Sequence, residues 1–246
     1  MNTIVPLISS LVSLAFALSV LDQFLSRRKP YQLVWSIGLL MYSISTGMEF
    51  LIEAWGMNSA IYRLGYLTGV VFVAPYLGMG TVYLLTPRRL ANIMMAILLI
   101  ASIYAVVKVA VVPLHLNVIS VAILISGPAI TGHSMPQQVC LLIPFFNIFG
   151  TVALVGGALY SGWAYWRHHY MPHRVLSNVL IAVGGVLPSL GSTLNRFNLP
   201  QYLYFLELAG IIIIFVGFMC SREVFGFYRV PFIHGFRRLN VLKAMK

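Results

Sequence analysis

Charged side chains are scarce in this sequence. Asp, Glu, Lys and Arg make up only 9% of the 246 residues, whereas 60% are hydrophobic and the mean hydropathy is +0.90. A soluble globule of this length needs far more polar surface than this composition supplies. The sequence therefore excludes a soluble fold and indicates an integral membrane protein.

Acidic residues are the rarest of the charged residues. Five Asp and Glu stand against sixteen Lys and Arg, so the formal net charge is +11. Binding of nucleic acid would require a basic face or an arginine-rich arm on a soluble domain, and the sequence contains neither. Membrane lipids are thus the expected partner of the positive charge, and nucleic acid is not.

Residues that would support other chemistries are also few. Cys140 and Cys220 fall at opposite ends of different expected spans, so we expect no disulfide between them. None of the six histidines falls within an expected span, which argues against haem held between helices. His168, His169 and His173 lack a nearby carboxylate or cysteine, so no metal is expected there. The sequence also lacks a nucleotide-binding loop and a serine elbow, and it assigns no cofactor.

Apolar stretches close to the about 20 residues needed to cross a bilayer occur seven times. Backbone polar groups in hydrocarbon must be satisfied within the segment, and these stretches are too uniformly apolar for the strands of a barrel. The sequence predicts an all-α integral membrane bundle of seven transmembrane helices in residues 1–221, with the first span retained rather than cleaved. The expected spans are residues 3–25, 31–54, 60–85, 90–112, 139–165, 174–196 and 199–221.

Basic residues predict the orientation of the bundle. Thirteen of the sixteen follow spans 1, 3, 5 and 7, and only Arg63, Lys108 and Arg196 do not. Because basic residues accumulate on the cytoplasmic side, we expect the N-terminus outside and the C-terminus inside a bacterial inner (plasma) membrane. Residues 222–246 mix aromatic and basic side chains, and we expect them to form a cytoplasmic tail on the anionic leaflet.

Several local features are expected to shape the bundle. Residues 113–138 form the longest outer connection and are consistent with a hairpin or a re-entrant lid. Prolines within three of the spans should kink the helices or free a carbonyl; they are Pro75, Pro144 and Pro188. Clusters of small residues predict close packing of helices; they are Gly78, Gly80, Gly150, Gly156, Gly157, Ser161, Gly184, Gly185, Ser189 and Gly191.

The second span carries a continuous polar stripe. Tyr42, Thr46, Glu49 and Glu53 follow one another at spacings of 4, 3 and 4, which places them on one face of a helix. Ionisable residues within a membrane usually face the bundle interior, so this stripe is predicted to point inward. Because two carboxylates four residues apart repel each other, either a cation sits between them or one of them carries a proton.

Other polar residues are expected at a similar depth. At a rise of about 1.5 Å per residue, Glu207 lies roughly 5 Å and Glu49 roughly 10 Å outward of the midpoints of their spans. We predict that these residues line a pocket in the outer half of the bundle for a small ligand or cation, with Glu49 paired with Glu207 across the bundle. Interhelical ion pairs are the alternative, and Lys108 could simply snorkel to the interface. The candidate ligand-binding residues are Tyr42, Thr46, Glu49, Glu53, Arg63, Tyr66, Lys108, Asn147, Ser192, Arg196, Tyr204 and Glu207.

Segments covering about half of the chain resemble a known sensory region. The run RRKPYQLVWSIGLLMYSISTGMEFLIEAWG, followed by YRLGYLTGVVFVAPYLGMGTVYLL, resembles the amino-terminal seven-helix sensory region of some bacterial histidine kinases. The run VLIAVGGVLPSLGSTLNRFNLP resembles the sixth span of that region. The resemblance implies seven helices and ligand sensing. Glu207 departs from that pattern, and residues 222–246 are too few for a kinase or cyclase domain.

These observations favour a membrane sensor or accessory module that binds a small ligand or cation and acts through a partner protein. A small-solute or proton-coupled transporter stays open, since kinked spans favour it, although the inverted repeats of many transporters are missing. A structural subunit of a membrane complex, or a lipid-modifying enzyme that uses its carboxylates as acid and base, also stays open.

Overall fold

The computed structural model describes residues 4–56, 58–111, 137–167, 172–196 and 201–223. These residues form seven helical rods joined by short turns, and no strand occurs among them. The rods are α1 (Ile4–Arg27), α2 (Pro30–Trp55), α3 (Ser59–Leu85), α4 (Arg88–Val111), α5 (residues 137–167), α6 (Pro172–Arg196) and α7 (Gln201–Glu223). The expected outer lid and cytoplasmic tail lie outside the described residues, except where they overlap the ends of α5 and α7.

Six of the seven rods are long and apolar enough to cross a membrane. These are α1 to α5 and α7, whereas α6 contains a shorter apolar stretch, Val175–Gly191. Each rod begins and ends within a few residues of a span predicted from the sequence. The all-helical class and the multi-pass membrane character are therefore confirmed.

A tight turn joins α2 to α3 at the end of the bundle near the carboxylates. Gly56 ends α2 with φ at +90°, and its N–H donates to the Ile52 carbonyl at 3.0 Å. Glycine suits this position because a side chain disfavours such a backbone conformation. Asn58 then begins α3 as its N-cap, because its side-chain oxygen accepts from the Ala60 N–H at 3.0 Å.

The cap at Asn58 gives a small prediction about stability. Asn58→Ala removes the acceptor for the Ala60 N–H and should lower the free energy of unfolding by about 1 kcal/mol. Asn58→Asp keeps a capping oxygen and should retain most of the wild-type stability. Unfolding in detergent micelles measures both variants, and an equal loss in both would contradict the capping role.

Both α3 and α5 contain a wider, π-helical segment. In α3 it spans Tyr66–Phe72 and ends just before Pro75, and in α5 it spans Val152–Gly156. Proline has no N–H to donate, and its ring clashes with the carbonyl four residues earlier. The wider turn before Pro75 accommodates that loss without ending the rod. Pro144 and Pro188, in contrast, lie inside regular α-helical segments.

Two hydrophobic clusters meet at α2. The larger joins α2 to α3, α4 and α5 around Tyr62, Tyr66 and Met79, each at most 1% exposed. The smaller joins α1, α2 and α7, where the Phe16 ring lies 4.9 Å from the Phe215 ring and 5.1 Å from the Phe218 ring, between centroids. Because α2 belongs to both clusters, its polar stripe is held inside the bundle.

Glycines allow two pairs of rods to approach closely. A Cβ atom added to Gly78 of α3 would lie 2.7 Å from Gly150 Cα of α5, and one added to Gly184 of α6 would lie 2.8 Å from the Gly210 carbonyl of α7. The packing role expected for Gly78, Gly150 and Gly184 is confirmed. The same expectation is wrong for Gly156, where an added Cβ would meet nothing within 4 Å.

Candidate functional site

Two buried carboxyl groups lie on α2 and α7, which the Tyr42 hydroxyl joins at the Glu207 carbonyl. Glu49 is 2% exposed and Glu207 is 7% exposed, although the bundle interior around them is mostly apolar. The two carboxyl groups are close enough to interact electrostatically. No lysine or arginine side chain that the structure describes forms an ion pair with either of them. The carboxyl pair of Glu49 and Glu207 thus has no basic partner among the side chains that the structure describes.

One oxygen of the carboxyl pair lacks a donor. Glu49 Oε2 is buried and has no hydrogen-bond partner among the described residues. An acceptor left unsatisfied in the interior costs about 1–3 kcal/mol, and more when the group is charged. This atom therefore marks the position at which an added proton or cation would be stabilised most.

Two tyrosines connect α2 and α7 on either side of the carboxyl pair. The Tyr42 hydroxyl of α2 donates to the Glu207 backbone carbonyl at 3.1 Å. The Tyr204 hydroxyl of α7 donates to Glu53 Oε1 of α2 at 3.5 Å, a long contact, and also interacts electrostatically with Glu49 and Glu207. Each helix thus sends one tyrosine to the other, and the two contacts bracket the buried carboxyl groups.

Thr46 is buried beside the pair, but its hydroxyl is used locally. Thr46 Oγ1 donates to the Tyr42 carbonyl of the same helix at 3.1 Å. This local bond satisfies the hydroxyl within α2. Its single proton is therefore not directed at the Glu49 carboxyl group.

Two basic residues predicted for the site have contacts on the α3 and α4 side of the bundle. Arg63 of α3 donates to the Ala110 carbonyl near the end of α4. Lys108 of α4 lies over the Tyr104 ring, with its nitrogen 5.5 Å from the ring centroid. Both contacts belong to the α3 and α4 side of the bundle, whereas the carboxyl pair lies between α2 and α7.

The other predicted residues are spread over α3, α5 and α6. Tyr66 is 1% exposed, stacks on Tyr62 with ring centroids 6.1 Å apart, and faces the Cys140 thiol. Asn147 is half-buried on α5. Ser192 and Arg196 belong to the last turns of α6, and their side chains lie outside the described part of the chain.

Sequence reasoning missed the serines that hold α1 against α2. Ser10 Oγ donates to the Ser43 carbonyl, and Ser43 Oγ donates to the Ser10 carbonyl, both at 2.9 Å. The signal was present in part, because Ser36 and Ser43 are buried, lie seven residues apart and therefore share one face of α2, next to the face that carries Tyr42 and Glu49. These contacts fix the helix that carries the carboxyl stripe.

The fold and this site define a class: a multi-pass helical membrane protein with a buried carboxyl pair between two of its helices. No protein-family model, curated protein or solved structure matches the chain. The resemblance to the sensory region of histidine kinases therefore stays a prediction. Within the described ranges, no three His, Cys, Asp or Glu side chains are grouped as a metal ion would require, and Cys140 and Cys220 are not joined by a disulfide.

Proposed function

We propose that this protein is a membrane sensor or accessory module that binds a small cation, a proton included, at the carboxyl pair of Glu49 and Glu207. The observation that carries the proposal is the buried Glu49 Oε2 atom, which has no partner among the described residues. Ionisable groups at membrane depth are costly, and they are usually retained for a function. An acidic pair without a described counter-charge favours a positively charged ligand.

The position of the pair suggests how binding would be transmitted. Glu49 and Glu207 lie on different helices, and the Tyr42 and Tyr204 contacts already join those helices. Neutralising the pair removes the repulsion between α2 and α7, so the occupied site favours a closer packing of the two. A ligand that prefers one arrangement shifts the population toward it, and a partner protein would detect that arrangement.

The orientation proposed from the basic residues places the site in the outer half of a bacterial inner membrane. The basic connections follow α1, α3 and α5, so the opposite ends of the helices face outward. Glu49 lies six residues before the end of α2 at Trp55, and Glu207 lies six residues after the start of α7 at Gln201. At 1.5 Å per residue, both lie about 9 Å from the outer ends of their helices.

The site can be tested through ligand-dependent stability. Thermal unfolding of the purified protein is measured in detergent while pH is varied, and separately while sodium, potassium, magnesium or calcium chloride replaces N-methylglucamine chloride at constant ionic strength. Binding to the folded state alone raises stability, by about 2.7 kcal/mol when the ligand is at 100 times its Kd. We expect at least one condition to shift the wild type, and the shift to disappear in both Glu49→Gln and Glu207→Gln.

Asp22→Asn serves as the matched control, because it also removes one carboxylate but lies near the opposite end of the bundle. This variant should retain the wild-type shift. An unchanged shift in both glutamine variants would remove Glu49 and Glu207 from the site.

To test sensing, spin labels at the basic ends of α1 and α4 should report a distance that changes under the same condition, and the change should be absent in Glu49→Gln.

A transporter is the second candidate, and a specific observation favours it. The π-helical segments of α3 and α5 lie next to the close approach at Gly78 and Gly150. Such segments occur frequently at functional sites, where a helix must change its packing. Reconstituted vesicles distinguish the candidates: cation or proton flux that requires Glu49 and Glu207 supports transport, and binding without flux supports the sensor.

A further inference from the structure

We propose that the cation held by this site is a proton, shared between the Glu49 and Glu207 carboxyl groups. The inference rests on the proposed function and narrows it to one chemical class. It is carried by the set of groups that the site offers, by the local use of its hydroxyl protons, and by its depth in the bundle.

The site offers too few free ligands for a hard metal ion. Magnesium requires six oxygen ligands in near-octahedral geometry, and calcium takes six to eight oxygen ligands. Here the buried carboxyl oxygens belong to Glu49 and Glu207 only, and the Thr46 hydroxyl, which donates within its own helix, adds at most one neutral oxygen. Glu53 is half-buried and lies one turn further out, where it accepts from Tyr204. A proton requires only two oxygens.

The hydroxyl groups nearby cannot supply the missing hydrogen bond while their present contacts hold. Each tyrosine hydroxyl carries a single proton, and Tyr42 directs it to the Glu207 backbone carbonyl while Tyr204 directs it to Glu53. A proton on Glu207, in contrast, would be donated to Glu49 Oε2. That one proton would satisfy the buried acceptor and remove the repulsion between the two carboxyl groups.

The groups packed around the pair provide no other described charge that could replace the proton. From α2 the titratable neighbours are Tyr42 and Glu53, and from α7 they are Tyr204 and Glu207 itself. From α1, Ser10 bonds to Ser43 of α2. Among the described side chains, the charged group shown to interact with Glu49 is therefore the acidic Glu207.

The shortest route for the proton leads to the outer end of the bundle. Glu53 and Tyr204 are half-buried and lie one turn outward of Glu49 and Glu207, respectively. Their contact at 3.5 Å is long for a hydrogen bond between oxygen atoms, so opening it costs little. Glu53 would then pass protons between water and the buried pair. On the inner side of the pair, the Tyr42 hydroxyl makes a shorter contact, to the Glu207 carbonyl.

Infrared spectroscopy of the full chain in lipid vesicles tests the inference, because a protonated carboxyl group has its own C=O stretching band. The chain has only four glutamates, at positions 49, 53, 207 and 223, so 13C-labelled glutamate assigns the band. At neutral pH we expect one protonated glutamate per chain in the wild type. We expect none in Glu49→Gln/Glu207→Gln, and the full wild-type band in Glu53→Gln as the matched control.

The same samples are analysed for bound sodium, potassium, magnesium and calcium. Absence of the labelled band in the wild type, or its persistence in the double variant, would overturn the proton. A metal ion bound at one per chain and lost in the double variant would do so as well, and would leave the proposed cation site standing. If neither protonation nor metal binding depends on Glu49 and Glu207, both proposals fail. Should the double variant not fold, the labelled wild type and Glu53→Gln still decide whether a buried glutamate is protonated.

Discussion

Gly150→Ala is expected to destabilise the bundle by about 3 kcal/mol. The added Cβ would lie 2.2 Å from the Ala74 carbonyl carbon and 2.3 Å from its oxygen. Both atoms belong to the backbone of α3, so no side-chain rotation relieves the clash, and the two rods must move apart. The free energy of unfolding in detergent micelles, followed by the loss of helical circular dichroism, measures the effect.

Gly156→Ala provides the matched control, because it lies on the same rod and an added Cβ meets nothing within 4 Å. Alanine is favoured over glycine in a helix by about 1 kcal/mol, so this variant should be neutral or slightly more stable. Similar losses in both variants would mean that the cost arises within α5 itself, which would contradict a close approach between α3 and α5.

The helical class and the helix limits were predictable from the sequence because they depend on local physics. Hydrocarbon requires each backbone polar group to be satisfied within its own segment, so long apolar stretches become helices wherever they occur. The turn at Gly56 and Asn58 was equally local, since it depends on a glycine at positive φ and on one capping side chain. The π-helical segment before Pro75 was not predicted, because apolar composition does not distinguish an α-helix from a π-helix.

The candidate site was predictable only in part. The spacing of Tyr42, Glu49 and Glu53 identified one face of α2, because helical periodicity is a property of the sequence. Similar depth led to the expectation that Glu49 pairs with Glu207, but the helix opposite depends on the packing of all the rods, and the Tyr42 and Tyr204 contacts join α2 to α7.

The contacts of the basic residues could not be predicted in the same way. Arg63 contacts the end of α4, a preference that depth in the membrane does not determine. The position of a charged residue along its span determines how deep it lies in the membrane. Which residue it contacts depends on the rotation of each helix about its own axis.

The second large effect is expected for Glu207→Gln, whose cost in stability should depend strongly on the residue at position 49. In the wild type, Glu207→Gln keeps a neutral donor beside Glu49 Oε2 and should change stability by less than about 1 kcal/mol. In a Glu49→Lys background, Glu207 becomes the counter-charge of a buried lysine. The same Glu207→Gln substitution should then cost about 3–5 kcal/mol, because it leaves a buried charge without a partner.

A double-mutant cycle of unfolding free energies in detergent measures this coupling, with Glu49→Lys and Glu207→Gln as its two changes. Distant substitutions add, so the same cycle with Asp22→Asn in place of Glu207→Gln should show a coupling below about 0.5 kcal/mol. If Glu207→Gln has the same effect in both backgrounds, the two carboxyl groups do not face each other. A coupling of several kcal/mol, in contrast, supports the close approach of Glu49 and Glu207, because two charges about 4 Å apart interact by about 4 kcal/mol at an effective dielectric constant of about 20 and the energy falls as the distance grows.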